Sequence, residues 1–120
     1  MNIETLWLAI CIVESACNPL AMNGGEKAYG IAQIRPIMIR DYNKNNGARL
    51  VHEDAFSPAI SKKIFMWYAG RYCTIKRLGH KPTMEDVSRC WNGGPNGYKK
   101  DATLKYWGKV SKELKKKGVK

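Results

Sequence analysis

Histidine is nearly absent from this chain: His52 and His80 are the only two among 120 residues. Neither has a close ligand partner in the sequence, so the spacing a zinc site demands is missing, and no metal or other cofactor is implied. Long apolar runs are missing as well, since no stretch approaches the roughly 20 residues needed to cross a bilayer. The segment TLWLAICIV could pass for the apolar part of a secretion signal, but no Lys or Arg precedes it and Glu4 makes that end acidic. LAIC also lacks the small residue that a lipoprotein signal places before its cysteine. Neither internal repeats nor low-complexity linkers occur. Cysteine is limited to Cys11, Cys17, Cys73 and Cys90, a set that permits two bridges in any of three pairings, or four free thiols in a reducing compartment.

Acids are scarce too. Ten of them face 21 Lys and Arg for a net charge of +11, and the excess thickens toward the C-terminus in KKDATLKYWGKVSKELKKKGVK. Such a chain attracts polyanions, either nucleic acid or an anionic bacterial envelope, unless the lysines simply cover a solvated helix face. At 120 residues with 44% hydrophobic composition, the chain has enough apolar material for one compact domain over 1–120 and too little length for two.

Residues 3–17 read as a helix apolar nearly all round, hence buried, ended by Asn18-Pro19. NGGEKAYG supplies Gly24, Gly25 and Gly30 for a hairpin or irregular loop, and IMIRDYN after Pro36 suits a short helix. Ser57 as cap, Pro58 in the first turn, and Ile60, Ile64, Trp67, Tyr68 and Arg71 at helical spacing predict a second buried helix. Thr83 and Asp86 have capping-box spacing for a third, which NGGPNG stops. Asp101 is placed to cap a last helix carrying Leu104, Trp107 and Val110 or Ser111 as a stripe. The predicted class is mainly α, with at most a small β-hairpin near residues 20–34.

With so few acids, elimination is informative. Glu4, Glu85, Asp86 and Asp101 fall in first turns or caps, Glu53 and Asp54 in a polar connection, and Glu113 among lysines. Glu14, Glu26 and Asp41 remain without a structural duty. Glu14 is the oddest, emerging where a strongly apolar helix ends. A carboxyl that loses hydration there has a raised pKa, as a general acid requires, whereas one that reaches solvent or pairs with a cation does not; position alone leaves both open.

VESACNP followed by AYGIAQI resembles the opening motif of the lysozyme-like superfamily, shared in loose form by soluble lytic transglycosylases and goose-type lysozymes. RCWNGGPNGYKKDATLKYWGKV, together with Arg71-Tyr72, is similar to the invertebrate-type (destabilase) lysozymes and their bacterial and phage relatives. The resemblance implies an α+β lysozyme-like fold and cleavage of the β-1,4 bond between N-acetylmuramic acid and N-acetylglucosamine in peptidoglycan. It matches Glu14 to the catalytic acid, Ser15 to the serine that shapes the site, and Gln33 to a glutamine facing the sugar groove. Trp91 and Asn92 stand where transglycosylases carry an aromatic-Asn pair; that aromatic is usually tyrosine, so its hydroxyl is missing beside Glu14. Tyr98 and Tyr106 fall where groove or supporting residues lie.

Two departures from the family pattern bear on mechanism. Alignment back from Gly30 puts Asn23 where invertebrate-type lysozymes place a catalytic aspartate. Either Glu26, or behind it Asp41, supplies the second carboxylate, or Glu14 works alone and the muramic acid's own 6-hydroxyl closes an anhydro ring. The second departure is that Cys73 and Cys90 do not follow the family's dense disulfide framework. The rivals are a non-catalytic cationic peptidoglycan-binding protein and a nucleic-acid binder. Against the latter, Trp67, Tyr68, Trp91, Tyr106 and Trp107 have the spacing of core or groove, not of a base-stacking platform. The expected partners are thus peptidoglycan strands and the anionic envelope, with no specific nucleic acid and no membrane span. The expected protein is a monomer acting at the bacterial cell wall, secreted or phage-borne.

Overall fold

A computed structural model of the chain describes residues 1–119; Lys120, the last residue of the expected domain, lies outside them. Among the described residues, six α-helices and a two-stranded antiparallel sheet follow in the order α1 (Ile3–Ser15), β1 (Met22–Asn23), β2 (Ala28–Tyr29), α2 (Pro36–Asn46), α3 (Pro58–Tyr72), α4 (Ile75–Leu78), α5 (Met84–Gly93) and α6 (Leu104–Lys116). Short 3-10 turns cover His52–Phe56, Gly97–Lys99 and Asp101–Thr103. The mainly helical architecture with one small hairpin is the predicted one.

Helix starts follow local chemistry where the sequence offered a cap. Ser57 accepts the Ile60 amide and Pro58 opens α3; Thr83 and Asp86 close a reciprocal capping box at α5. The prediction for α6 needs correction. Asp101 opens a 3-10 turn instead, and the α-helix begins at Leu104 without a side-chain cap. The end of α1 also differs from expectation. Ala16 and Cys17 both turn left-handed, at φ 54° and 61°, and wrap their amides back onto the Ile12 and Cys11 carbonyls, so the helix stops at Ser15, before Asn18-Pro19 is reached. Nor is α1 buried all round: Leu6, Ala9, Ile10 and Cys11 are enclosed, while Leu8 is half exposed.

The core gathers α1, α3, α5 and α6 around aromatic side chains. Trp91 is 1% exposed and is met edge-on by Phe65 at 5.2 Å and Tyr68 at 5.3 Å. Below the hairpin, Tyr29 stacks between His52 at 3.7 Å and Phe56 at 4.8 Å, and the His52 ring also hydrogen-bonds the Ile34 carbonyl at 2.7 Å. This stack fixes the hairpin against the 3-10 turn. Gly30 makes the close approach possible: a Cβ there would lie 2.0 Å from the Ala55 carbonyl oxygen. The hairpin is thereby held over the end of α1.

Candidate active site

The last turn of α1 delivers Glu14 and Ser15 to the place where the chain leaves the hairpin. The Ser15 hydroxyl donates to the Ile31 carbonyl at 2.7 Å and accepts the Asn18 amide at 3.1 Å, clipping the helix end to the segment after β2. That segment is a tight loop closed by paired amide–carbonyl bonds between Tyr29 and Ile34, both 2.9 Å. Gln33 takes a left-handed backbone within it, φ 55°, which costs a residue with a side chain about 1–2 kcal/mol. Its amide Nε2 donates to the Gly30 carbonyl at 3.1 Å, fixing the side chain over the loop.

Glu14, Glu26, Gln33, Arg35, Trp91 and Asn92 line one polar cavity of about 130 Å³. Five of these six were singled out in the sequence. Arg35 was not, although it directly follows the YGIAQI motif; its guanidinium donates to the Asn92 carbonyl at 3.4 Å and ties the loop after the hairpin to α5. Asn23 lies on the exposed hairpin, where its Oδ1 accepts the Gly25 and Glu26 amides at 3.1 and 3.3 Å. Its side chain thus shapes the turn that carries Glu26.

The Glu14 carboxyl is half-buried in the cavity wall, and this loss of hydration raises its pKa from the ordinary 4.5 to about 7, with the Glu26 charge pushing the same way. Three groups oppose the shift without cancelling it: the Tyr106 hydroxyl, the Arg35 charge and the Trp91 indole N–H, which itself donates to the Ala32 carbonyl at 3.3 Å. The Tyr106 hydroxyl donates to Glu14 Oε2 at 3.0 Å, and its own pKa is driven well above the usual value by burial and by that carboxylate. This corrects the expectation of a missing hydroxyl. Position 91 lacks one, but α6 supplies it from the opposite side of the chain.

Two expected residues lie elsewhere. Tyr98 donates to the Arg77 carbonyl at 3.2 Å and is not among the cavity walls. Asp41 accepts the Tyr72 hydroxyl at 2.5 Å and the Asn45 amide at 2.9 Å, so it has the structural duty that the sequence did not reveal. Among the described residues, no three His, Cys, Asp or Glu side chains gather as a metal cage. Cys11, Cys17, Cys73 and Cys90 are free. No described helix is long and apolar enough to cross a membrane.

A carboxyl titrating near neutrality beside a second acid is the equipment of glycosidic cleavage, and comparison with known proteins agrees with it. Residues 1–113 match the transglycosylase SLT domain family. The chain belongs to that family. It is accordingly an enzyme of the glycoside hydrolase or lytic transglycosylase kind. Within this lysozyme-like superfamily it is similar to a lysozyme of Magallana gigas, 30% identical over 106 residues that make up 87% of this chain and 74% of that one. Its fold matches the Tapes japonica lysozyme structure with a TM-score of 0.78 at 30% identity, covering 98% of this chain and 94% of the other. A chain in the crystal structure of Aeromonas hydrophila PliI in complex with Meretrix lusoria lysozyme matches with a TM-score of 0.79 at 28% identity and the same coverage.

Proposed function

We propose that the protein is a muramidase, one lysozyme-like domain over 1–120, that cleaves the β-1,4 bond between N-acetylmuramic acid and N-acetylglucosamine in peptidoglycan with Glu14 as general acid. One observation carries this reading: the half-buried Glu14 carboxyl lines a polar cavity with its pKa raised to about 7. Such a group holds a proton at neutral pH and releases it readily. It protonates the leaving oxygen as the C1–O bond breaks; the bonding pair departs with that oxygen, and positive charge develops at C1 and the ring oxygen. Glu26, on the same cavity, offsets that charge and either attacks C1 or activates a water. Gln33, Asn92 and Arg35 offer hydrogen bonds to sugar hydroxyl and N-acetyl groups, while Ser15, Asn23 and Tyr106 hold the acid pair in place. Its place of action is the bacterial cell wall, reached by secretion or by release with a phage, and the +11 charge draws it to the anionic envelope.

A second reading is lytic transglycosylation with Glu14 as the sole acid and base. It is favoured by the exposed turn on which Glu26 sits and by Asn23 in place of a carboxylate. Mass spectrometry of the products from purified peptidoglycan separates the two: reducing muramic ends mark hydrolysis, anhydro-muramic ends mark transglycosylation. Both require that Glu14→Gln abolish the release of muropeptides. Full release by that variant would sink both, and killing that persists without release would assign the activity to charge alone.

A further inference from the structure

A second groove of about 360 Å³ shares a wall with the first cavity, since Arg35 lines both. Its floor and sides are apolar: Met38, the 63% exposed Ile37, Pro95 and the ring of Tyr72. Arg35, Arg40 and Lys44 surround it, against one carboxylate, Asp41, held by the Tyr72 hydroxyl. The groove is preformed, because a single guanidinium joins two of its walls: Arg77 Nη1 donates to the Tyr72 carbonyl at 2.8 Å and to the Pro95 carbonyl at 2.9 Å. Apart from Arg35, none of these groups takes part in the proposed bond cleavage.

We propose that this groove binds the acidic stem peptide carried by the muramic acid residues of peptidoglycan, a proposal that rests on the muramidase reading. The chemistry favours a peptide over more sugar. Neutral pyranoses bring nothing to neutralise three cations, whereas a stem peptide combines small methyl side chains with free carboxylates and carries a diamino acid whose amine suits Asp41. The shared Arg35 makes the two cavities neighbours, as a peptide linked through the lactyl group of a bound muramic acid requires.

Steady-state kinetics on glycan strands that carry the stem peptide, and on the same strands stripped of it by an amidase, test this directly. Arg40 and Lys44 are exposed, so the double variant Arg40→Ala/Lys44→Ala keeps the fold. It should raise KM on peptide-bearing strands by about fivefold while leaving kcat, and KM on stripped strands, unchanged; exposed ion pairs of this kind support an effect of that size. The increase should vanish at high salt. Titration of the free stem tetrapeptide, followed by amide chemical shifts, should perturb residues 37–44 and 94–95 and not the turn at 24–27. Equal KM increases on both substrates would make the groove a sugar subsite and overturn the proposal, as would no increase. A wild-type protein that cleaves neither strand yet binds the tetrapeptide here would overturn the muramidase reading alone.

Discussion

The hydroxyl of Tyr106 donates to the carboxylate of Glu14 at 3.0 Å across a separation of 92 residues. α6 therefore reaches the acid without lining the cavity, from whose walls Tyr106 is missing. The bond favours the charged form, and removing it should push the Glu14 pKa above its present value of about 7. Tyr106→Phe is expected to shift the basic limb of the kcat/KM profile to higher pH. The plateau should fall by about tenfold, because a less acidic, less oriented group transfers its proton less readily. A basic limb that stays where it was would separate Tyr106 from the acid's electrostatics.

The charges around the cavity give a pair of variants with opposite signs. Glu26 raises the Glu14 pKa and Arg35 lowers it. Glu26→Gln should therefore move the Glu14 titration to lower pH, and Arg35→Gln to higher pH. Carbon-13 NMR of the Glu14 carboxyl checks both without relying on activity, which Glu26→Gln is also expected to reduce. Shifts in the same direction would contradict this arrangement.

Much of this site could be read from the sequence because its parts are local. Glu14 and Ser15 sit in one helical turn; Gln33 and the capping residues Ser57, Thr83 and Asp86 act within a few positions of themselves. What could not be read depends on contacts far apart in the chain. Arg35 carries no pattern that distinguishes it from the other basic residues until its guanidinium meets Asn92 on α5. Asp41 stood among the unexplained acids because Tyr72, its partner, lies 31 residues away on another helix. The early end of α1 was hidden for a different reason. Ala16 and Cys17 have side chains that ordinarily avoid left-handed backbone, and only the wrapped amides and the Ser15–Ile31 clip hold them there.

Glycine substitutions should separate positions that need the missing side chain from those that do not. A Cβ at Gly30 would lie 2.0 Å from the Ala55 carbonyl oxygen on a backbone of φ +86°, and one at Gly97 would lie 2.1 Å from the Arg89 carbonyl oxygen. Either alanine variant is expected to destabilise by about 2–4 kcal/mol in urea unfolding, since backbone must move to admit it. Gly108, inside α6 with open space around it, is the control: alanine there should stabilise by about 0.5–1 kcal/mol. Equal losses at all three would mean that helix propensity and close approach are not what distinguish them.

The half-buried acid also ties stability to pH. Glu14 titrates at about 7 when folded against an ordinary 4.5, so the folded state holds its proton more tightly than the unfolded chain does. A raised pKa contributes stability that is fully present below about 4.5 and is lost as pH rises through about 7. At about 1.4 kcal/mol per pKa unit the loss reaches at most about 3 kcal/mol. Glu14→Gln has no proton to release, and its amide oxygen can still accept the Tyr106 hydroxyl. Its stability should match that of the wild type at pH 4 and exceed it at pH 8 by up to that amount, with the gap opening between pH 4.5 and 7. Urea unfolding of both proteins across this range gives the difference directly, because the other ionisable groups are common to the two chains. A constant gap would mean that Glu14 is solvated in solution, and the case for it as a neutral-pH acid would fail with it.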